Sequence, residues 1–174
     1  MKNQNDLSIK YHRATRLIHW LTAILLIITF AIGKYMVNIP IVEKLDTVKL
    51  HIVLGTSILV LTLVRVWLFF KKTRPPRIKT GSAINDALIV FVHNAFYFLL
   101  ISIALAGFAT SLTGGYWDAI NASNPNLVKA KSEISALVIH GVLSFITIVF
   151  VIVHIVGVAR HRRRTNENTL KRMI

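Results

Sequence analysis

The chain has 174 residues, 54% of them hydrophobic and 16% charged, with a mean hydropathy of +0.60. That balance excludes an ordinary soluble domain. The absence of cysteine excludes disulfides, c-type haem attachment, thiolate-ligated iron–sulfur or zinc sites and cysteine nucleophiles. A net charge of +14 does not by itself point to nucleic acid, because the basic residues flank long apolar runs instead of lining one polar face.

A membrane-spanning helix needs about 20 predominantly apolar residues. Four runs qualify, at residues 17–33, 50–70, 87–112 and 134–159, and together they hold more than half of the chain. The expected fold is an all-α integral membrane protein, a four-transmembrane-helix bundle forming one membrane domain over residues 1–174. The first run carries His19 and Trp20 and ends in GKYMVNIP without a small-residue cleavage pattern, so it reads as a retained helix and not as a secretory signal. Between the second and third runs, Pro75 and Pro76 favour an extended turn. The segment after the third run, TGGYWDAINASNPNLVKAK, combines Gly, Asn and Pro punctuation with Tyr116 and Trp117, as expected of an ordered interfacial loop. The fourth run precedes a basic tail.

Charge orients the bundle. One side of the membrane receives Lys2, Lys10, Arg13 and Arg16, then Lys71, Lys72, Arg74, Arg77 and Lys79, then Arg160, Arg162, Arg163, Arg164, Lys171 and Arg172. The other receives only Lys34, Lys44, Lys49, Lys129 and Lys131, while Arg65 lies inside the second run. An excess of fifteen over five places both termini and the middle loop on the cytoplasmic side. Most of the arginines in the run RHRRR, residues 160–164, need no role beyond anchoring beside anionic lipid.

Ionisable residues inside a span are costly and read as functional by default. His19, near the start of the first run, and His154, near the end of the fourth, lie toward the cytoplasmic side. His51, opening the second run, and His140, early in the fourth, lie toward the opposite side. His140 and His154 are 14 residues apart, so at about 100° per residue they return to nearly the same helix face, about 21 Å apart along the axis. Two cofactors at two depths would each take one ligand from the fourth helix and one from the first or second. Haem b suits such a set, because its iron offers two axial positions and neutral imidazole is a common ligand. Zinc or copper held by two histidines alone would be undercoordinated.

Other readings stay open at this point. A proton relay would want an intramembrane carboxylate, which the four runs lack. A colourless transporter or assembly protein would need each histidine only to bond a neighbouring helix. Arg65, 14 residues after His51, lies near the cytoplasmic end, where it is either a counter-ion for haem propionates or an arginine snorkelling to headgroups. Gly55 and Gly141 offer room for a macrocycle or simply close helix packing. His93 has no partner left at its depth and reads as a residue beside a ligand, a quinone-site residue or a satisfied bundle histidine. His12 is expected to be solvated, whereas His161, seven residues after His154, shares its helix face.

Four segments carry a family resemblance: YHRATRLIHWL, KLHIVLGTSILVLTLVR, HNAFYFLL and IHGVLSFITIVFVIVHIVGVARH, with a tail ending NTLKRMI. They resemble the bacterial cytochrome b561 proteins, small four-helix dihaem cytochromes of the inner membrane. The resemblance implies two haem b groups, with His19 and His154 as axial ligands of the cytoplasmic haem and His51 and His140 as those of the periplasmic one. It is nearest to the superoxide oxidase type, which implies superoxide as donor, ubiquinone as acceptor and a cytoplasmic quinone pocket, for which Lys79 and His161 are the candidates. The other expectation is an electron-transfer subunit working between quinone and a periplasmic, dehydrogenase or hydrogenase partner. Steering of superoxide would need positive potential at the periplasmic mouth, where the five lysines face Glu43, Asp46, Asp118 and Glu133 for a balance of only +1.

Overall fold

A computed structural model describes residues 5–174; Lys2 of the charge count lies outside them. Four long helices account for the apolar runs: α1 (Arg13–Met36), α2 (Ile41–Lys71), α3 (Ala83–Thr113) and α5 (Ser135–Thr165). All four are long and apolar enough to cross a membrane. Most extend beyond the expected boundaries at both ends, because a 31-residue helix is about 46 Å long and outruns a hydrocarbon core of about 30 Å. The surplus turns carry polar and charged residues, Glu43 to Lys49 on α2 and Arg160 to Arg164 on α5.

Consecutive long helices pack side by side, α1 on α2, α2 on α3 and α3 on α5, whereas α1 and α5 are not closely packed. The interior therefore retains a slot bordered by all four. Its filling is unlike a soluble core. The buried residues include Thr22, Thr29, Thr62, Thr110 and Thr147, each donating its hydroxyl to the carbonyl four residues earlier at 2.7–2.8 Å. That bond satisfies the hydroxyl within its own helix, so a small polar side chain can line a helix contact without a partner across it. Leu17, Phe70, Ile84, Phe98 and Phe145 instead face outward, as a lipid surface requires.

The segment between α3 and α5 is ordered, as expected. It forms a short helix, α4 (Tyr116–Ala122), and two single 3-10 turns, Pro125–Leu127 and Lys131–Glu133. Gly115 opens α4 at a φ of 74°, and a Cβ there would lie 2.3 Å from the Leu127 carbonyl oxygen, so only glycine fits. Tyr116 and Ile134 pack on Val48 and close this end of the bundle with an apolar layer. Here Lys44, expected among the surface charges, is 6% exposed, its Nζ 3.4 Å from the Met36 and Ile39 carbonyl oxygens at the end of α1. Carbonyls left free at a helix C-terminus attract a cation, which explains its burial.

Both termini and the α2–α3 loop meet at the other end, the basic one. His12 is solvent-exposed, as expected, and caps α1 by accepting from the Ala14 amide. The extended loop at Pro75 and Pro76 also matches expectation. Arg172, counted from sequence among the basic residues of this side, is 4% exposed. Its guanidinium donates to the Pro76 carbonyl at 2.6 Å and to the Asp6 carbonyl. The Tyr11 amide donates to the Arg172 carbonyl at 3.1 Å, and Trp20 Nε1 to that of Met173 at 2.8 Å. One buried cation thus ties the N-terminal segment, the middle loop and the tail. Hydrogen bonds involving a charged group are worth about 1.5–3 kcal/mol each, so Arg172→Met, which keeps much of the stem, is expected to release the tail. Trypsin should then cut between Arg164 and Lys171 faster than in the parent chain; an unchanged rate would show that the tail is held by other contacts.

Candidate cofactor site

His51 on α2 and His140 on α5 come together, with ring centroids 6.0 Å apart and planes at 78°. They line one pocket with Leu26, Thr29 and Phe30 from α1, Gly55 and Ile58 from α2, Leu100, Ile103 and Ala104 from α3, and Ser144 from α5. The four helices therefore converge on this level. Metal–imidazole bonds are about 2 Å long at zinc, and on that scale two imidazoles on opposite sides of one metal stand with ring centres about 6 Å apart. His140 Nδ1 lies 2.9 Å from the Ile103 carbonyl oxygen, an arrangement that leaves Nε2 free to ligate. His51 Nδ1 is buried without a hydrogen-bond partner among the described residues.

At the basic end, His19, Arg65, His93 and His154 form a second electrostatic neighbourhood. His93, expected to lack a partner, sits beside His154 with centroids 5.3 Å apart and rings nearly perpendicular. Phe96 packs on His154 from the same helix as His93. The sequence alone could not set how α3 rotates against α5, and that rotation decides where His93 lies. His93 Nδ1 is also 2.7 Å from its own Ile89 carbonyl oxygen, so its ring is held. Among the described residues, His19 Nδ1 and Arg65 Nε are buried and unpartnered, and the Arg65 guanidinium lies 5.6 Å from the centre of the Tyr97 ring.

The family model described as prokaryotic cytochrome b561 matches residues 10–174. The chain belongs to that family. Its members are membrane electron-transfer cytochromes that bind haem b. The residues present fit such a group. Two imidazoles stand 6.0 Å apart in a pocket lined by all four long helices, Nε2 of His140 is left free by its Nδ1 contact, and Arg65 Nε is buried without a partner among the described residues. Gly55 lines the pocket with open space where its side chain would be, whereas Gly141 has open space but does not line it.

Lys79 and His161 come to one polar network. Asn5 Nδ2 donates to the Lys79 carbonyl at 3.0 Å, and Asn5 Oδ1 accepts from the Lys79 amide at 2.9 Å. Asn5 also donates to Glu167 from its amide at 3.0 Å and from Nδ2 at 2.7 Å, while His161 Nε2 lies 3.1 Å from Glu167 Oε2. Sequence reasoning missed Asn5 and Glu167, because their proximity arises from long-range folding of both termini.

Partial desolvation works to raise the Glu167 pKa, but hydrogen bonds from Asn5 and the interaction with His161 outweigh it and leave the carboxyl below its ordinary value of 4.5. A depressed pKa means this contact stabilises the fold above the unfolded-state value and loses that contribution as pH falls through the folded one. The protection factor of the Asn5 amide, its exchange measured relative to the intrinsic rate at each pH, should therefore fall as the pH drops below the ordinary glutamate value of 4.5. Glu167→Gln should flatten that dependence. An identical acid profile in that variant would assign it to another group.

Proposed function

We propose that the chain is a single membrane domain over residues 1–174 that carries two haem b groups, oxidises superoxide to oxygen at the periplasmic side and reduces ubiquinone. Two superoxide anions, one quinone and two protons give two oxygen molecules and one quinol. Family membership and the facing His51 and His140 rings across the four-helix pocket carry this reading. Bound haem b would supply a one-electron iron couple, its potential tuned by the imidazoles that hold it and by burial. In the proposed assignment His51 and His140 hold the periplasmic haem, and His19 and His154 hold the cytoplasmic one. Arg65 supplies the cation for the propionates of the latter.

The basic end is cytoplasmic in this reading by the Lys/Arg excess, within a bacterial inner membrane. Lys79 and His161 would border the quinone. Their common attachment to Asn5, Lys79 through its backbone and His161 through Glu167, supports a shared site, and His161 with Glu167 would be the titratable pair beside it.

One observation favours the second reading, an electron-transfer subunit taking electrons from a periplasmic or dehydrogenase/hydrogenase partner. With Lys44 spent on helix carbonyls, the exposed Lys34, Lys49, Lys129 and Lys131 are balanced by Glu43, Asp46, Asp118 and Glu133. Nothing in that net charge concentrates a small anion.

The deciding measurement is the visible spectrum of the purified chain exposed to superoxide. About two b haems per chain, promptly reduced, are expected; haem that superoxide leaves oxidised transfers the assignment to the subunit reading, and a colourless preparation from haem-replete cells ends both. Ligand pairing is tested separately. His140→Ala and His154→Ala should each remove a different haem, and His19→Ala should convert the haem lost in His154→Ala while His93→Ala leaves it low-spin. The reverse result for His19 and His93 would make His93 the ligand. Lys79→Ala and His161→Ala should slow quinone reduction with haem spectra intact, and unchanged rates would remove both from the quinone site.

A further inference from the structure

Each α-helical carbonyl accepts from the amide four residues later, and the side chain at that later position leans back over the turn that contains the carbonyl. Glycine at the later position uncovers the carbonyl's second lone pair. His140 uses such an opening. Its Nδ1 reaches the Ile103 carbonyl at 2.9 Å, and the residue four positions on is Gly107. A Cβ on Gly107 would stand 2.9 Å from His140 Cε1 and 3.1 Å from Nδ1, but 3.9 Å from Nε2. The ring therefore enters the gap with its Nδ1 edge and keeps Nε2 farther out.

The same register recurs across the pocket. His51 leans on α1 at Gly33, four residues after Thr29, whose backbone faces the imidazole. A Cβ on Gly33 would lie 3.2 Å from His51 Cε1 and 3.7 Å from Nδ1, a looser contact than at Gly107. His51 Nδ1 stands outside hydrogen-bond geometry here, so the carbonyl contact is closed on one side of the pocket and open on the other.

We infer that Gly33 and Gly107 are positioning residues, two sockets that turn the Nδ1 edges of His51 and His140 toward helix carbonyls and leave both Nε2 atoms for haem iron. A histidine ligand whose other nitrogen donates to a carbonyl has a fixed tautomer and orientation and a more basic ligating nitrogen. The glycines deliver that effect without touching the metal. The inference rests on haem binding by the family and is independent of the superoxide donor, so failure of superoxide to reduce the protein leaves it standing.

The test measures haem transfer from the purified holoprotein to excess apomyoglobin. Gly107→Ala should speed release of the haem class that His140→Ala abolishes about 10- to 100-fold, the range seen when a group supporting a metal ligand is lost. Gly33→Ala should give a smaller acceleration. In both variants the midpoint potential of that class should shift while the other haem keeps its own. Unchanged release in Gly107→Ala overturns the inference, as does equal acceleration for both haems, which marks a general packing role. If Gly107→Ala does not accumulate, Gly33→Ala decides alone: faster release confined to that class supports the socket, and unchanged or uniform release overturns it.

Discussion

A hydrocarbon slab offers no water to a polar group, so every amide, hydroxyl and imidazole within it must find a partner in the protein. The interior of this bundle is organised around that constraint. Its buried threonines satisfy themselves on their own helices, as Thr62 does on the Ile58 carbonyl and Thr147 on that of Leu143. Small, self-satisfied side chains let the helices approach while making few demands on each other. The groups still unpaired are therefore conspicuous. Among the described residues, His19 Nδ1, His51 Nδ1 and Arg65 Nε, at the two levels where imidazoles gather, are buried without partners, as are Ser111 Oγ on α3 and Arg16 Nε, Asn168 Oδ1 and Arg172 Nε toward the basic end.

The basic end obeys a different rule, because water and headgroups compete there for every cation. Arg172 escapes that competition by burial, trading solvent for the Pro76 and Asp6 carbonyls. Asn5 and Glu167 extend the tie to Lys79 and His161. Three segments distant in sequence thus form a lid over the end where His19 and His154 lie. The positive charge of this end does two things at once, anchoring the bundle in the membrane and building a folded surface from the termini.

Hydropathy and helical periodicity made much of this legible. Four runs announced four helices, and the 14-residue spacing of His140 and His154 put two histidines on one face of α5. Features that depend on the neighbouring helix were not legible. Gly107 matters because α3 presents it to His140, and no pattern within α3 says so; Gly141, adjacent to a histidine in sequence, drew attention but meets nothing within 4 Å. His93 joins His154 only once the rotation of α3 is fixed. Lys44 and Arg172 looked like members of charged surfaces, and both are withdrawn by carbonyls that a one-dimensional charge count does not contain.

The two ends differ in a way that bears on electron entry. At the end away from the termini, Val48, Tyr116 and Ile134 form a packed layer, with Met36, Ile41, Ile52 and Leu137 against it. That layer separates the outer surface from the pocket of His51 and His140. Such a layer keeps the two imidazoles in a low dielectric, where nearby charges and hydrogen bonds act on them more strongly. An electron needs no open channel to cross it. Donor choice in the proposed function is consequently decided at the outer surface, by what dwells there long enough to give up an electron. Balanced charge at that surface, with Lys44 turned inward, means that a small anion would arrive there by diffusion without help from the global field.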